Sequence, residues 1–133
     1  MVAKMTVIDK PAFTPEKRPD EISGVTQKIK VGCGTLYVTI NEDVNKKSFS
    51  STSEPFEVFV RLGKAGRCAA SQTEAISRLV SYILRCGGKT SDIIKHLKGI
   101  SCHTRAVDED ASLSCADGIA KALEIYFEGK QGY

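Results

Sequence analysis

The 133-residue chain is 41% hydrophobic and 26% charged, lacks tryptophan and carries a formal net charge of +3. These fractions exclude disorder over most of the length, and the size is that of one domain able to bury a core without covalent staples. No run approaches the ~20 apolar residues of a membrane span, and Met1 to Pro15 lacks the apolar stretch of a secretory signal. A cytoplasmic location without a membrane partner is therefore expected. In that reducing compartment the five cysteines, Cys33, Cys68, Cys86, Cys102 and Cys115, are not read as a disulfide framework. They need another use.

Residues 1–24 hold Pro11, Pro15 and Pro19 with mixed charge and no sustained apolar period, the signature of an arm or linker. Residues 25–133 read as one domain. It opens with period-two alternation: Val25, Ile29 and Val31 share one face, as do Leu36, Val38 and Ile40. Gly32-Cys33-Gly34 between them is short enough only for a hairpin turn. Asn41 to Ser53 is polar and reads as a loop. Phe56, Val58, Val60 and Leu62 then predict a third strand with those residues inward.

After Cys68 the period becomes helical. Ser71 with Glu74 suggests a capping box, and Ala75, Ile76, Leu79, Val80, Ile83 and Leu84 form a stripe that ends at Gly87-Gly88. A shorter helix is predicted from Ser91 to Lys98, stopped by Gly99, and a last one from Ser114, with Asp117 in its first turn. The fold class is thus α+β, a three-stranded antiparallel sheet followed by three helices packed on one face. Charge is uneven: Arg61 to Arg105 is basic and Ala106 to Glu128 acidic, so these halves face either each other or a partner.

Four cysteines sit where the chain turns: Cys33 in the hairpin, Cys68 before the long helix, Cys102 after a helix stop and Cys115 at a helix start. Four thiolates from convergent loops suit a tetrahedral zinc site, although each arrives singly rather than on a two-cysteine knuckle. Reduced structural thiols and redox-active thiols are the alternatives. Cys115 also reads as a nucleophile acidified by a helix N-terminus, in a small thiol redox protein without a resolving Cys-x-x-Cys partner. Cys86, at the end of the apolar stripe, reads as a bystander.

Gly63-Lys64-Ala65-Gly66-Arg67 precedes a helix, so Lys64, Gly66 and Arg67 are candidates to hold the phosphate of a nucleotide or nucleic acid. The loop lacks the Gly-Lys-Ser/Thr ending of a P-loop, and its glycines serve equally to turn the chain from strand to helix. Near His96-Leu97-Lys98-Gly99, Ile94 stands where a cobalamin-binding motif needs aspartate, and His96 reads as a solvated helix residue.

Five ordered blocks carry a resemblance: Gly32 to Asn41, Glu57 to Lys64, Gly66 to Ile76, Leu97 to Cys102 and Leu113 to Leu123. Together they resemble the TSCPD domain, found at the C-terminus of adenosylcobalamin-dependent (class II) ribonucleotide reductases and as short separate proteins. The naming motif departs from Thr-Ser-Cys-Pro-Asp, reading Leu113-Ser114-Cys115-Ala116-Asp117. The family's cysteines fall on Cys33, Cys68, Cys102 and Cys115, which the resemblance implies as metal ligands, with zinc the expected ion. It further implies a non-catalytic accessory domain, structural or regulatory, partnered by a reductase catalytic chain. The reductase barrel and its nucleotide site need several hundred residues, and the mobile terminal cysteine pair of the reductases has no counterpart in Glu128 to Tyr133. A nucleotide and a second copy of the chain are the other candidate partners.

Overall fold

A computed structural model describes residues 14–43, 54–63, 67–103 and 110–131. Strands β1 (Ser23–Val31), β2 (Gly34–Glu42) and β3 (Glu57–Gly63) form one antiparallel sheet in the order β1-β2-β3. Helices α1 (Arg67–Arg85), α2 (Thr90–Leu97) and α3 (Cys115–Gln131) follow. The α+β class and element order expected from periodicity are those of the molecule.

Alternation places the core. Leu36, Val38 and Ile40 of β2 are fully buried, Ile29 and Val31 join them from β1, and Val58 joins from β3. Against them α3 presents Ile119, Ala122, Leu123 and Tyr126, all buried. Each large apolar side chain so buried contributes about 1.5–3 kcal/mol. The approach is close because Gly118 lacks a side chain. A Cβ there would lie 3.0 Å from Leu36 Cδ2 and 3.2 Å from Val31 Cγ1. Val25, predicted inward, is 47% exposed at the sheet corner beside the end of α3.

The long helix differs from its sequence reading in start and in orientation. It begins at Arg67, so Ser71 lies inside it, and the Ser71 hydroxyl donates back to the Cys68 carbonyl at 2.8 Å instead of capping. Glu74 pairs along the helix with Arg78. The buried face carries Thr73, Ser77, Val80 and Leu84, whereas Leu79 is 64% exposed and Ile83 is also exposed. The reason is the edge of β3. Ser77 and Ser81 donate to the Val58 carbonyl at 2.7 and 2.8 Å, and the Val58 amide donates to Ser81 Oγ at 3.0 Å. Hydroxyls satisfy a strand edge in a way an apolar stripe cannot, and they turn the helix accordingly. The displaced stripe, with Ile93 and Leu97 of α2, lines a shallow apolar groove.

Ser23 and Gly24, assigned by sequence to the arm, are the first residues of β1. The segment before them lies against the domain. The Glu16 amide donates to the Arg85 carbonyl at 2.9 Å and Arg85 donates back to the Glu16 carbonyl. Arg18 forms a 2.8 Å ion pair with Glu57, which is 3% exposed and also receives the Asn41 amide. The short helix α2 spans Thr90–Leu97, within a residue of expectation, and Gly99, at φ +88°, follows its end. Its N-terminus is capped across the chain by Glu54, whose carboxylate accepts from the Thr90 amide at 2.8 Å and from the Thr90 hydroxyl. The loop expected over Asn41 to Ser53 lies mostly outside the described residues; Asn41 and Glu42 complete β2.

Candidate functional site

The motif Leu113-Ser114-Cys115-Ala116-Asp117 opens α3, and its polar members fasten neighbouring segments to that helix start. Ser114 accepts the Asp117 amide on its Oγ at 3.0 Å, the capping bond expected from sequence, while its hydroxyl donates to the Ile100 carbonyl at 2.6 Å. The Asp117 carboxylate accepts the Gly99 amide at 2.9 Å and the Leu113 amide at 3.0 Å. Ser114 and Asp117 are thus a clasp between the turn after α2 and the start of α3. The Lys98–Glu124 ion pair, 2.9 Å, adds a tie on the surface and raises the lysine's pKa above its ordinary value. It also joins the basic and acidic halves of the sequence. Ala116 is buried in the first turn, where a backbone amide has no intrahelical acceptor, so alanine serves as well as proline there.

The clasp determines where the thiols lie. The Cys102 amide donates to the Leu113 carbonyl at 3.0 Å, and the Ser112 amide donates to the Lys30 carbonyl at 2.9 Å. These bonds run the Cys102 segment and the approach to α3 past the end of the β1–β2 hairpin that carries Cys33. Cys33, Cys102 and Cys115, from three separate stretches of chain, therefore share one end of the domain, all free and half-buried. The buried Thr73 of α1, one turn and a half beyond Cys68, hydrogen-bonds Cys115. Cys68 itself is exposed on the first turn of α1. Cys86 is half-buried just after α1, with its amide donating to the Tyr82 carbonyl.

Electrostatics correct one expectation. Burial pushes the Cys115 thiol above its ordinary value, Thr73 opposes this, and the neighbouring Cys33 and Cys102 push it further up. Burial thus acts against the acidification expected from the helix N-terminus, and the thiol's pKa lies above rather than below its ordinary value. Cys115 also packs against the apolar core, unlike a purely loop thiol.

Of the four cysteines expected as metal ligands, Cys33, Cys102 and Cys115 share this end of the domain, and Cys68 lies on the first turn of α1. Soft thiolates from separate segments are the donor chemistry of structural zinc. Among the described residues no three His, Cys, Asp or Glu side chains already stand as a ligating group, so an ion would have to draw these thiols together. Of the phosphate-loop candidates, Lys64 and Gly66 lie outside the described residues, and Arg67 is the first residue of α1. His96 is exposed in the last turn of α2. No helix among the described residues is long and apolar enough to cross a membrane.

Sequence reasoning missed Thr73, Glu54 and the Arg18–Glu57 pair. Thr73 looked like one more polar residue on a helix, and only its burial marks it. The signal at Asp117 was visible, but as a favourable charge in a first turn rather than as a clasp.

The fold and this end of it define a small α+β domain in which one helix start, with its own thiol, lies beside thiols from the hairpin and from the segment after α2. The chain belongs to the TSCPD domain family, whose model matches residues 9–127, nearly the whole length. That match reaches back into the segment read from sequence as an arm. No curated protein and no solved structure matches the chain.

Proposed function

We propose that the chain is a non-catalytic accessory domain of a class II ribonucleotide reductase system, with a structural zinc ion held by Cys33, Cys68, Cys102 and Cys115. The observation that supports the reading is that three of those thiols, from distant stretches of sequence, lie at the same end of the domain, the end built by the family's motif. Family membership supports the reductase association. A zinc ion would supply cross-links between the hairpin, the segment after α2 and the starts of α1 and α3, in place of disulfides unsuited to a reducing compartment. The protein's own residues do the positioning: Ser114 and Asp117 hold the Cys102 segment against α3, and Thr73 holds the Cys115 thiol.

Native mass spectrometry with elemental analysis tests the zinc site. One zinc per chain is expected, lost when any of Cys33, Cys68, Cys102 or Cys115 is replaced by serine and retained in Cys86→Ser. A folded chain without zinc after purification and zinc addition overturns the site and leaves reduced structural thiols. Affinity capture from the native cell tests the association separately, and failure to recover a reductase catalytic chain counts against it.

A further inference from the structure

We propose that the open face of the sheet docks single-stranded nucleic acid. The face turned away from the core is covered at one end, where Arg18 reaches the buried Glu57. Beyond that pair the register lays out three successive rows across the strands: Thr26, Thr39 and Phe59; Lys28, Tyr37 and Arg61; Lys30, Thr35 and Gly63. Phe59 is 49% and Tyr37 40% exposed. They stand on adjacent strands and are diagonal neighbours, a separation of about 7–8 Å that rings of this size can bridge. Half-exposed rings on a pleated surface leave their faces available, and stacking on such rings is how sheets bind unpaired bases without reading sequence.

Charge selects the partner. Lys28 and Arg61 flank Tyr37 in its row, Lys30 follows in the next, and these three rows contain no acidic residue. Glu57, the acidic residue of the preceding row, is already neutralised by Arg18. The Thr26 and Thr39 hydroxyls, 2.9 Å apart, lie in the row with Phe59 and add polar groups. Thr26, Tyr37, Thr39, Phe59, Arg61 and Gly63 line one shallow depression. Aromatic faces bordered by cations match a chain of bases on a phosphate backbone. A neutral apolar protein surface would offer Lys28 and Arg61 no counter-charge, and an acidic one would leave the rings without stacking partners. This surface includes Gly63, the first residue of the Gly63–Arg67 segment, and uses none of the thiols.

The test is fluorescence anisotropy of the full chain with a labelled oligothymidylate about eight nucleotides long, at low and moderate salt. Saturable binding is expected, at least tenfold weaker for a duplex of the same length. Tyr37→Ala and Phe59→Ala should each weaken it on the order of 5- to 150-fold. Replacing Lys28 and Arg61 together by alanine should flatten the slope of log affinity against log salt by about 1.4, for two lost phosphate contacts on a single strand. Lys95→Ala, on α2, should leave binding unchanged. Absence of saturable binding overturns the proposal, as does binding insensitive to both rings. So does an acidic peptide that binds as tightly and ignores the ring variants, which would assign the face to a protein. Should a ring variant not fold, amide shifts of the unaltered chain on titration decide: changes centred on Thr26, Tyr37, Thr39, Phe59 and Arg61 are expected, and changes confined elsewhere refute it.

Discussion

Asp117 offers the sharpest test of how the thiol end is assembled. Its carboxylate accepts two backbone amides, Gly99 at 2.9 Å and Leu113 at 3.0 Å, at the N-terminus of α3. Hydrogen bonds to a charged acceptor contribute about 1.5–3 kcal/mol each. Asp117 is only half-buried, so the lower end of that range applies, and its charge beside the helix N-terminus adds about 0.3–1 kcal/mol. Asp117→Ala should therefore destabilise the domain by about 3–4 kcal/mol. At roughly 4 °C per kcal/mol for a chain of this size, Tm falls by about 12–16 °C. Asp117→Asn keeps one acceptor oxygen and should lose about half as much. Denaturant unfolding measures the first quantity, and hydrogen exchange locates it, because the Gly99 and Leu113 amides should lose protection before the core strands do. A variant that melts within 2 °C of the parent, with both amides still protected, would refute the clasp. Combining Asp117→Ala with Ser114→Ala should give a loss smaller than the sum, since both residues hold the same segment.

Three further expectations concern the packing. Gly118→Ala places a Cβ against Leu36, Val31 and Ile29, so overpacking of about 1–3 kcal/mol should exceed the ~1 kcal/mol gained in helix propensity, giving net destabilisation in urea unfolding. Glu54→Ala removes the carboxylate that caps α2 and should cost about 1–2 kcal/mol, with faster exchange of the α2 amides; Glu54→Gln should retain much of the protection. Arg18→Met leaves Glu57 buried without its cation. Because Arg18 is itself 43% exposed, a loss of about 1–3 kcal/mol is expected rather than that of a fully buried pair, and Arg18→Lys should recover part of it in the same melting assay.

The strands, most of their inward residues and the three helices were legible because they rest on local periodicity, which burial on one face imposes directly on the sequence. The Ser114 cap and the Gly99 stop were legible for a similar reason: a helix end asks for particular residues within a few positions of itself. Recognition of the family blocks was legible too. What sequence did not contain was the orientation of α1. Its apolar stripe pointed to Leu79 and Ile83 as core, but the unpaired edge of β3 accepts hydrogen bonds from Ser77 and Ser81, and meeting that demand rotates the helix. Glu54 and Arg18 were equally opaque, because their partners lie 36 and 39 residues away. The thiols show both sides. Local sequence put Cys115 at a helix N-terminus, which by itself acidifies a thiol, whereas the packing of α3 on the hairpin and of Thr73 on Cys115 buried it and raised its pKa. A helix terminus is a property of a few neighbouring residues; desolvation is the sum of everything the fold brings near, and only the tertiary structure decides it.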